Sequence, residues 1–268
     1  MPKSYFVADV HLGLTVADEK DRELRFARFL RSLPSDTDSL YLMGDIWDFW
    51  YEYRDVVPKG YVRVFAALVE LMDRGVQVYF FPGNHDVWTY HYFEELGMKR
   101  LEQPFLTRIG GKTLCLGHGD GLGPTGMGYR ILYWIFHNKV LQWLFSLLHP
   151  YIAFSFGNGW SRNKRKRRRR MTPYTFRGEQ EPIYQFAEQF AEERASMGEP
   201  VDYFIFGHFH AHVRMPLPAG GELIVLKDWI RADAYAVIDH ESGELSIVNR
   251  PTEAAKSESA ANPQNDTL

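Results

Sequence analysis

The sequence predicts an α/β fold, and three observations carry that expectation. Apolar runs at residues 5–8, 39–43 and 76–81 each stop abruptly at a polar turn, as buried strands do at their tips. Stretches with helical spacing, 18–33 and 61–72, separate them. Beyond residue 100 the pattern becomes strand-like runs joined by tight turns.

Taken in order, residues 5–8 deliver Asp9, and 18–33 offer an apolar face of Leu24, Phe26, Ala27, Phe29, Leu30 and Leu33. Residues 39–43 lead into Gly44-Asp45, and 76–81 into Pro82-Gly83-Asn84. Later strands are expected at 105–109, 113–117, 203–206, 212–215, 223–226, 234–238 and 245–248, with a helix at 179–195. Gly110-Gly111, Gly220-Gly221 and Ser242-Gly243 supply hairpin-type breaks. Residues 1–250 therefore read as one domain interrupted by an insertion at about 122–177. Residues 251–268 lack large apolar side chains and are expected to be disordered.

Composition narrows the class. A chain of 268 residues that is 45% hydrophobic and 24% charged can bury a sizeable core. The single cysteine, Cys115, excludes an internal disulfide and fits a reducing compartment. No secretory pattern opens the sequence, so the cytoplasm is the expected location. Charge is segregated: residues 121–178 contain eleven cations and no Asp or Glu, which leaves −14 on the rest of a chain of net charge −3. Such asymmetry marks a surface for anions.

Five motifs follow apolar runs in order: Asp9-Val10-His11, Gly44-Asp45, Gly83-Asn84-His85-Asp86, Gly117-His118-Gly119-Asp120 and Gly207-His208-Phe209-His210. Polar residues on loops at strand ends are where α/β proteins build sites. Imidazole, carboxylate and amide oxygen together suit borderline divalent metals, and no thiolate is offered. Residues two apart on an extended chain point the same way, so Asp9 with His11, and His208 with His210, can each face one pocket. The glycines at 44, 83, 117 and 207 allow a sharp turn after each strand. One carboxylate must bridge two ions held about 3.5–4 Å apart, and Asp45 is the expected bridge.

These five motifs resemble those of the calcineurin-like metallophosphoesterase superfamily, over residues 5–212. The resemblance implies a metallophosphoesterase-type sandwich of two mixed β-sheets flanked by helices, with the insertion as a helical lid. It also implies two divalent metal ions, manganese foremost with iron or zinc as alternatives. Asp9, His11, Asp45 and His210 would form one site, and Asp45, Asn84, His118 and His208 the other. His85 corresponds to the superfamily's catalytic, non-ligand histidine, which contacts phosphate or protonates the leaving group. Asp86 and Asp120 read as groups that orient ligand histidines.

Gly44-Asp45-Ile46-Trp47-Asp48-Phe49-Trp50, with the apolar and basic insertion, resembles the UDP-2,3-diacylglucosamine diphosphatases of lipid A synthesis. That implies a lipid-linked nucleotide-sugar substrate, split to UMP and 2,3-diacylglucosamine 1-phosphate. The chain departs from the better-known members, which carry arginine where it has His85. Residues 129–156 are apolar on nearly every helical face, while Gln142, His149, Pro150, Gly157 and Gly159 argue against a membrane span. A lid over acyl chains or an interfacial helix pair is expected, with extra helices packed on the core as the open alternative. The basic run Lys164 to Arg170 could neutralise a substrate diphosphate, dock on anionic headgroups, grip nucleic acid or simply form a solvated loop. Beside the apolar lid the membrane surface is favoured, so the protein is expected at the inner face of the inner membrane, and Ser161, Arg162, Asn163 and Lys164 are expected substrate contacts. No nucleic acid or protein partner is expected, although a broader phosphodiesterase or nuclease on the same fold remains the alternative function. Replacing the expected bridge, Asp45→Ala, should remove metal from both sites at once, as read by elemental analysis of the purified protein.

Overall fold

The computed structural model describes residues 1–14, 19–155, 157, 159 and 175–252. Strands β1 (Lys3–Val7), β2 (Thr37–Leu42), β3 (Gln77–Phe80) and β4 (Lys99–Arg100) run parallel in one sheet. The second sheet contains β5 (Phe105–Ile109), β6 (Lys112–Leu116), β7 (Tyr203–Phe206), β8 (Val213–Pro216) and β9 (Glu222–Val225), in the order β5-β6-β7-β9-β8. Its inner strands β6, β7 and β9 are parallel and its edge strands antiparallel. The antiparallel strands β10 (Ala232–Asp239) and β11 (Leu245–Pro251) return to the first sheet, whose order is β11-β10-β1-β2-β3-β4. Both sheets are mixed, as expected.

The period-two alternation of each strand explains the layers. From β1, Phe6 and Ala8 point into the core between the sheets, while Tyr5 and Val7 point outward. That outer face is covered by α1 (Glu19–Ser32), α2 (Val62–Asp73) and α3 (Tyr92–Glu95), with Trp47, Trp50, Phe80 and Phe93 filling the space. From β7, Ile205 faces the first sheet, whereas Phe204 and Phe206 meet a helix labelled α7 below (Pro182–Ser196). Strands buried on both faces read as unbroken apolar runs, which is why the sequence announces them. Of the expected α1 face, Phe26, Ala27, Leu30 and Leu33 are buried, but Leu24 is 41% exposed. Cys115 is buried, and burial pushes its thiol up to about 12, so it is inert.

The insertion folds as α4 (Met127–His137), α5 (Lys139–Ser146) and α6 (residues 150–155), ahead of α7. Asn138 ends α4 and caps α5, its side-chain oxygen accepting from the N–H groups of Val140 and Leu141. No residue of α4 is buried, and Trp134, Val140, Trp143, Leu147 and Tyr151 are all at least 60% exposed. Two of the helices, α4 and α5, and the turn after α5 are tied to the core through backbone carbonyls. Trp88 Nε1 donates to the Phe136 carbonyl, Tyr51 to that of Gln142 and Tyr53 to that of Leu148. Among the described residues no helix is long and apolar enough to cross a membrane.

The expected tail begins two residues too early. Pro251 still pairs with Ala232, and the Thr252 N–H donates to the Arg231 carbonyl. Residues 253–268 lie outside those described. Truncation after Thr252 should leave the melting temperature within a degree or so of the full chain. Truncation after Gly243, which strips β11 from β10, should lower it by about 10 °C or more in a calorimetric scan.

Candidate metal centre

Six parallel strands, three in each sheet, carry the candidate residues on the loops that leave their carboxyl ends. Asp9 and His11 follow β1, Asp45 and Asp48 follow β2, and Asn84, His85 and Asp86 follow β3. His118 follows β6, His208 and His210 follow β7, and Asp228 follows β9. Three groups of potential ligand atoms converge to within 4.8 Å, from Asp9, His11 and His210, from Asp45, His118 and His208, and from His11, Asp48 and His85, the last sharing His11 with the first. His11 Nε2 and His210 Nε2 each lie 3.7 Å from Asp9 Oδ1, and His118 Nε2 lies 3.5 Å from Asp45 Oδ2. Asn84 shares a turn with His85, whose backbone N–H donates to Asp45 Oδ1 at 2.8 Å.

The residues fit a pair of cations. Asp9 Oδ1, Asn84 Oδ1 and His118 Nε2 are buried without a hydrogen-bond partner among the described residues. Leaving such atoms buried and unsatisfied costs roughly 1–3 kcal/mol each, unless something else takes their lone pairs. A divalent ion accepts these nitrogen and oxygen donors together.

The backbone reaches this arrangement by a route that strand alternation does not describe. Asp9, His11, Asp45, His208 and His210 all have φ between 50° and 68°. The Asp9–His11 and His208–His210 pairs are therefore not extended. Left-handed backbone, not the two-residue period, turns both members of each pair toward one place. Tyr61 is the only other non-glycine among the described residues with positive φ, so this uncommon conformation is concentrated at the candidate site. The glycines serve mainly to leave room. A Cβ on Gly83 would stand 2.3 Å from Asp45 Oδ1, and one on Gly207 2.7 Å from Asp9 Oδ2. One on Gly117 would stand 2.7 Å from Gln103 Oε1, and only Gly44 of the four also has positive φ, at 83°.

Electrostatics is in conflict without a cation. Burial pushes Asp9 up to about 6, while His210 and His118 pull it back. Burial also works against charge on Asp45, but His118, His85 and His11 outweigh it and hold the carboxyl well below the ordinary range. Burial and then the Asp45 charge raise Asp86 to about 7. For His118, burial disfavours the charged ring, yet the Asp45 carboxylate lifts its pKa well above the usual value.

Four imidazoles are held through Nδ1. His118 Nδ1 meets the Met43 carbonyl at 2.9 Å and His210 Nδ1 meets Asp228 Oδ2 at 3.1 Å. His11 Nδ1 lies 3.2 Å from Asp48 Oδ1, and His85 Nδ1 lies 2.7 Å from the Asp48 carbonyl oxygen. In each of the three ligand rings this leaves Nε2 for the centre. Asp86 and Asp120 do not play the part expected of them. The Asp86 carboxylate accepts backbone N–H groups of Gly83, Asp45, Ile46 and Trp47, bracing two ligand loops. Asp120 accepts from Gln103 Nε2 and the Tyr129 hydroxyl. Asp48 and Asp228 touch the histidines instead, and sequence reasoning missed both. Asp228 was findable, because it follows the apolar residues 223–226 as the other site residues follow their strands. His85 packs edge-on to His11, with ring centroids 5.0 Å apart, and its side chain keeps 16% of its surface exposed. Ser161, Arg162, Asn163 and Lys164, with the basic run to Arg170, lie outside the described residues.

Comparison with known proteins agrees with this geometry. Residues 2–212 match the Calcineurin-like phosphoesterase family. A UDP-2,3-diacylglucosamine hydrolase of Porphyromonas gingivalis is 35% identical over 88% of this chain and 94% of its own length. Proteins of the same name from Actinobacillus succinogenes and Haemophilus influenzae are 26% and 27% identical, covering 85% and 92% of this chain and 92% and 99% of their own lengths.

Because the room beside Asp45 is set by Gly83, Gly83→Ala should cost the protein its metal while leaving its far-ultraviolet circular dichroism unchanged. Elemental analysis alongside the spectrum checks this, and an alanine variant that retains metal would refute the packing argument.

Proposed function

The chain belongs to the calcineurin-like phosphoesterase family, and from that premise we propose that it hydrolyses the diphosphate of UDP-2,3-diacylglucosamine, giving UMP and 2,3-diacylglucosamine 1-phosphate. It is a metal-dependent phosphoester hydrolase. The finer reading is carried by one juxtaposition. The apolar insertion is fastened to the same loops that carry the centre: Phe49 and Tyr51 lie within three residues of Asp48, and Trp88 two residues past Asp86. Phe49 packs on Phe154, Tyr51 on Phe145 and Trp88 on Phe136. A polar reaction centre walled by greasy, partly exposed helices suits a headgroup with hydrocarbon attached. Beside α5 lies a cavity of about 650 Å³ where Tyr53, Val57, Tyr92 and Trp143 alternate with Glu52, Arg54, Asp55, Glu95 and Lys139, so its lining is too polar to serve as the acyl pocket.

In this reading Asp9, His11, Asp45 and His210 hold one divalent cation, and Asp45, Asn84, His118 and His208 hold the second, with manganese the first choice. Bound there, the ions would neutralise phosphoryl charge and acidify water. Asp48, Asp228 and the Met43 carbonyl keep Nδ1 of His11, His210 and His118 occupied, so the ligand nitrogens stay fixed. His85 donates Nδ1–H to the Asp48 carbonyl and turns Nε2 to the substrate. The leaving group of a diphosphate is itself a phosphate ester, whose second pKa is only about 6. It needs little protonation, so a hydrogen bond from His85 to the departing phosphate is the greater part of its role. The same need explains how an arginine in the better-known members and a histidine here can occupy one position.

The exposed residues Trp134, Trp143, Leu147 and Tyr151 would rest in a membrane interface, with the basic segment near anionic headgroups. Hydrolysis of UDP-2,3-diacylglucosamine with manganese should be compared with that of bis-p-nitrophenyl phosphate and DNA. Turnover of the lipid substrate at least tenfold faster than the generic esters is expected. Turnover of the generic substrates alone would sink the lipid reading in favour of a broad phosphodiesterase or nuclease.

A further inference from the structure

We propose that Asp228 is a positioning residue for the Asp9–His11–His210 half of the centre, acting through a loop that grips two of its three members. This rests on the metal-centre reading above and assigns a role to a residue beyond the ligand set. After β9 the chain leaves the sheet, and Asp228 Oδ1 accepts the Ile230 N–H of its own loop at 2.9 Å. That bond fixes the carboxylate and leaves Oδ2 to meet His210 Nδ1 at 3.1 Å. The next residue takes hold of Asp9, because the Trp229 N–H donates to the Asp9 carbonyl at 3.0 Å.

The loop is anchored on the far side. The Trp229 indole is fully buried, donates to the Ala234 carbonyl, and meets Phe26 and Phe29 of α1 with ring centroids 5.1 Å away. Its own carbonyl accepts from Arg25, which also pairs with Asp21 and Asp233. Position is thus handed from the helix layer to the loop, and from the loop to one ring and one ligand backbone.

The chemistry demands such a holder. His210 sits on a left-handed residue (φ 52°), stacked 5.0 Å from His11, and only its Nε2 faces Asp9 Oδ1. An acceptor at Nδ1 fixes the proton there, leaves the lone pair on Nε2, and makes the ring a better donor to a cation. The second group, Asp45, His118 and His208, takes nothing from this loop through the contacts just described; the His118 ring is held by the Met43 carbonyl.

Manganese titration followed by electron paramagnetic resonance tests the inference on the full chain, comparing wild type with Asp228→Asn, Asp228→Ala and Asp228→Glu. Wild type should bind in two resolved steps. The Asn and Ala variants should weaken one step by about 10–100-fold and spare the other, with the metal-free melting temperature nearly unchanged. Glu, which keeps the charge, should recover part of the loss. Two steps like those of wild type would refute the role. Equal weakening of both steps together with a lower metal-free melting temperature would show Asp228 to be structural only. Wild-type protein that binds no manganese would sink the metal-centre reading itself, and this inference with it.

Discussion

Acidic groups crowded into a buried space govern this structure. Asp9, Asp45, Asp48 and Asp86 are all buried within reach of His11, His118 or one another. So many buried carboxylates must either be matched by positive charge or take up protons, as the raised Asp9 and Asp86 show, and imidazoles match them incompletely. Everything around the centre is consistent with closing that gap. Two sheets bring their parallel strands to a common edge, backbone N–H groups are spent on Asp86, and ligand residues accept left-handed backbone. A protein would not sustain these costs for packing alone.

Much of this was readable from the residues themselves. Strands such as 203–206 and 223–226 are buried on both faces, so they stand out as unbroken apolar runs. The candidate ligands stand out because each follows such a run. The features that escaped are those for which local pattern has no vocabulary. β4 is two residues long and α3 four, too short for any period to register. The backbone conformation of Asp9 or His210 depends on contacts made by segments distant in sequence. Asp48 looked like one acid in an aromatic stretch, and only the fold sets its carboxylate against His11 and its carbonyl against His85. Asp86 misled for the opposite reason: its place beside His85 suggested a histidine partner, whereas four backbone amides claim it.

What a group beside a departing phosphate must do depends on how basic the leaving oxygen is. Where the departing oxygen is strongly basic, a proton donor is indispensable; where it is already acidic, a fixed positive charge serves as well. His85 is pinned by the Asp48 carbonyl and packed edge-on against His11, so the fold sets its orientation.

The bonds from Tyr51, Tyr53 and Trp88 to the helical insertion end on main-chain oxygens. Attachment of that kind is blind to sequence, because every residue presents the same carbonyl. The outward side chains of the insertion can therefore change without disturbing the three bonds that hold it to the loops after Asp48 and Asp86.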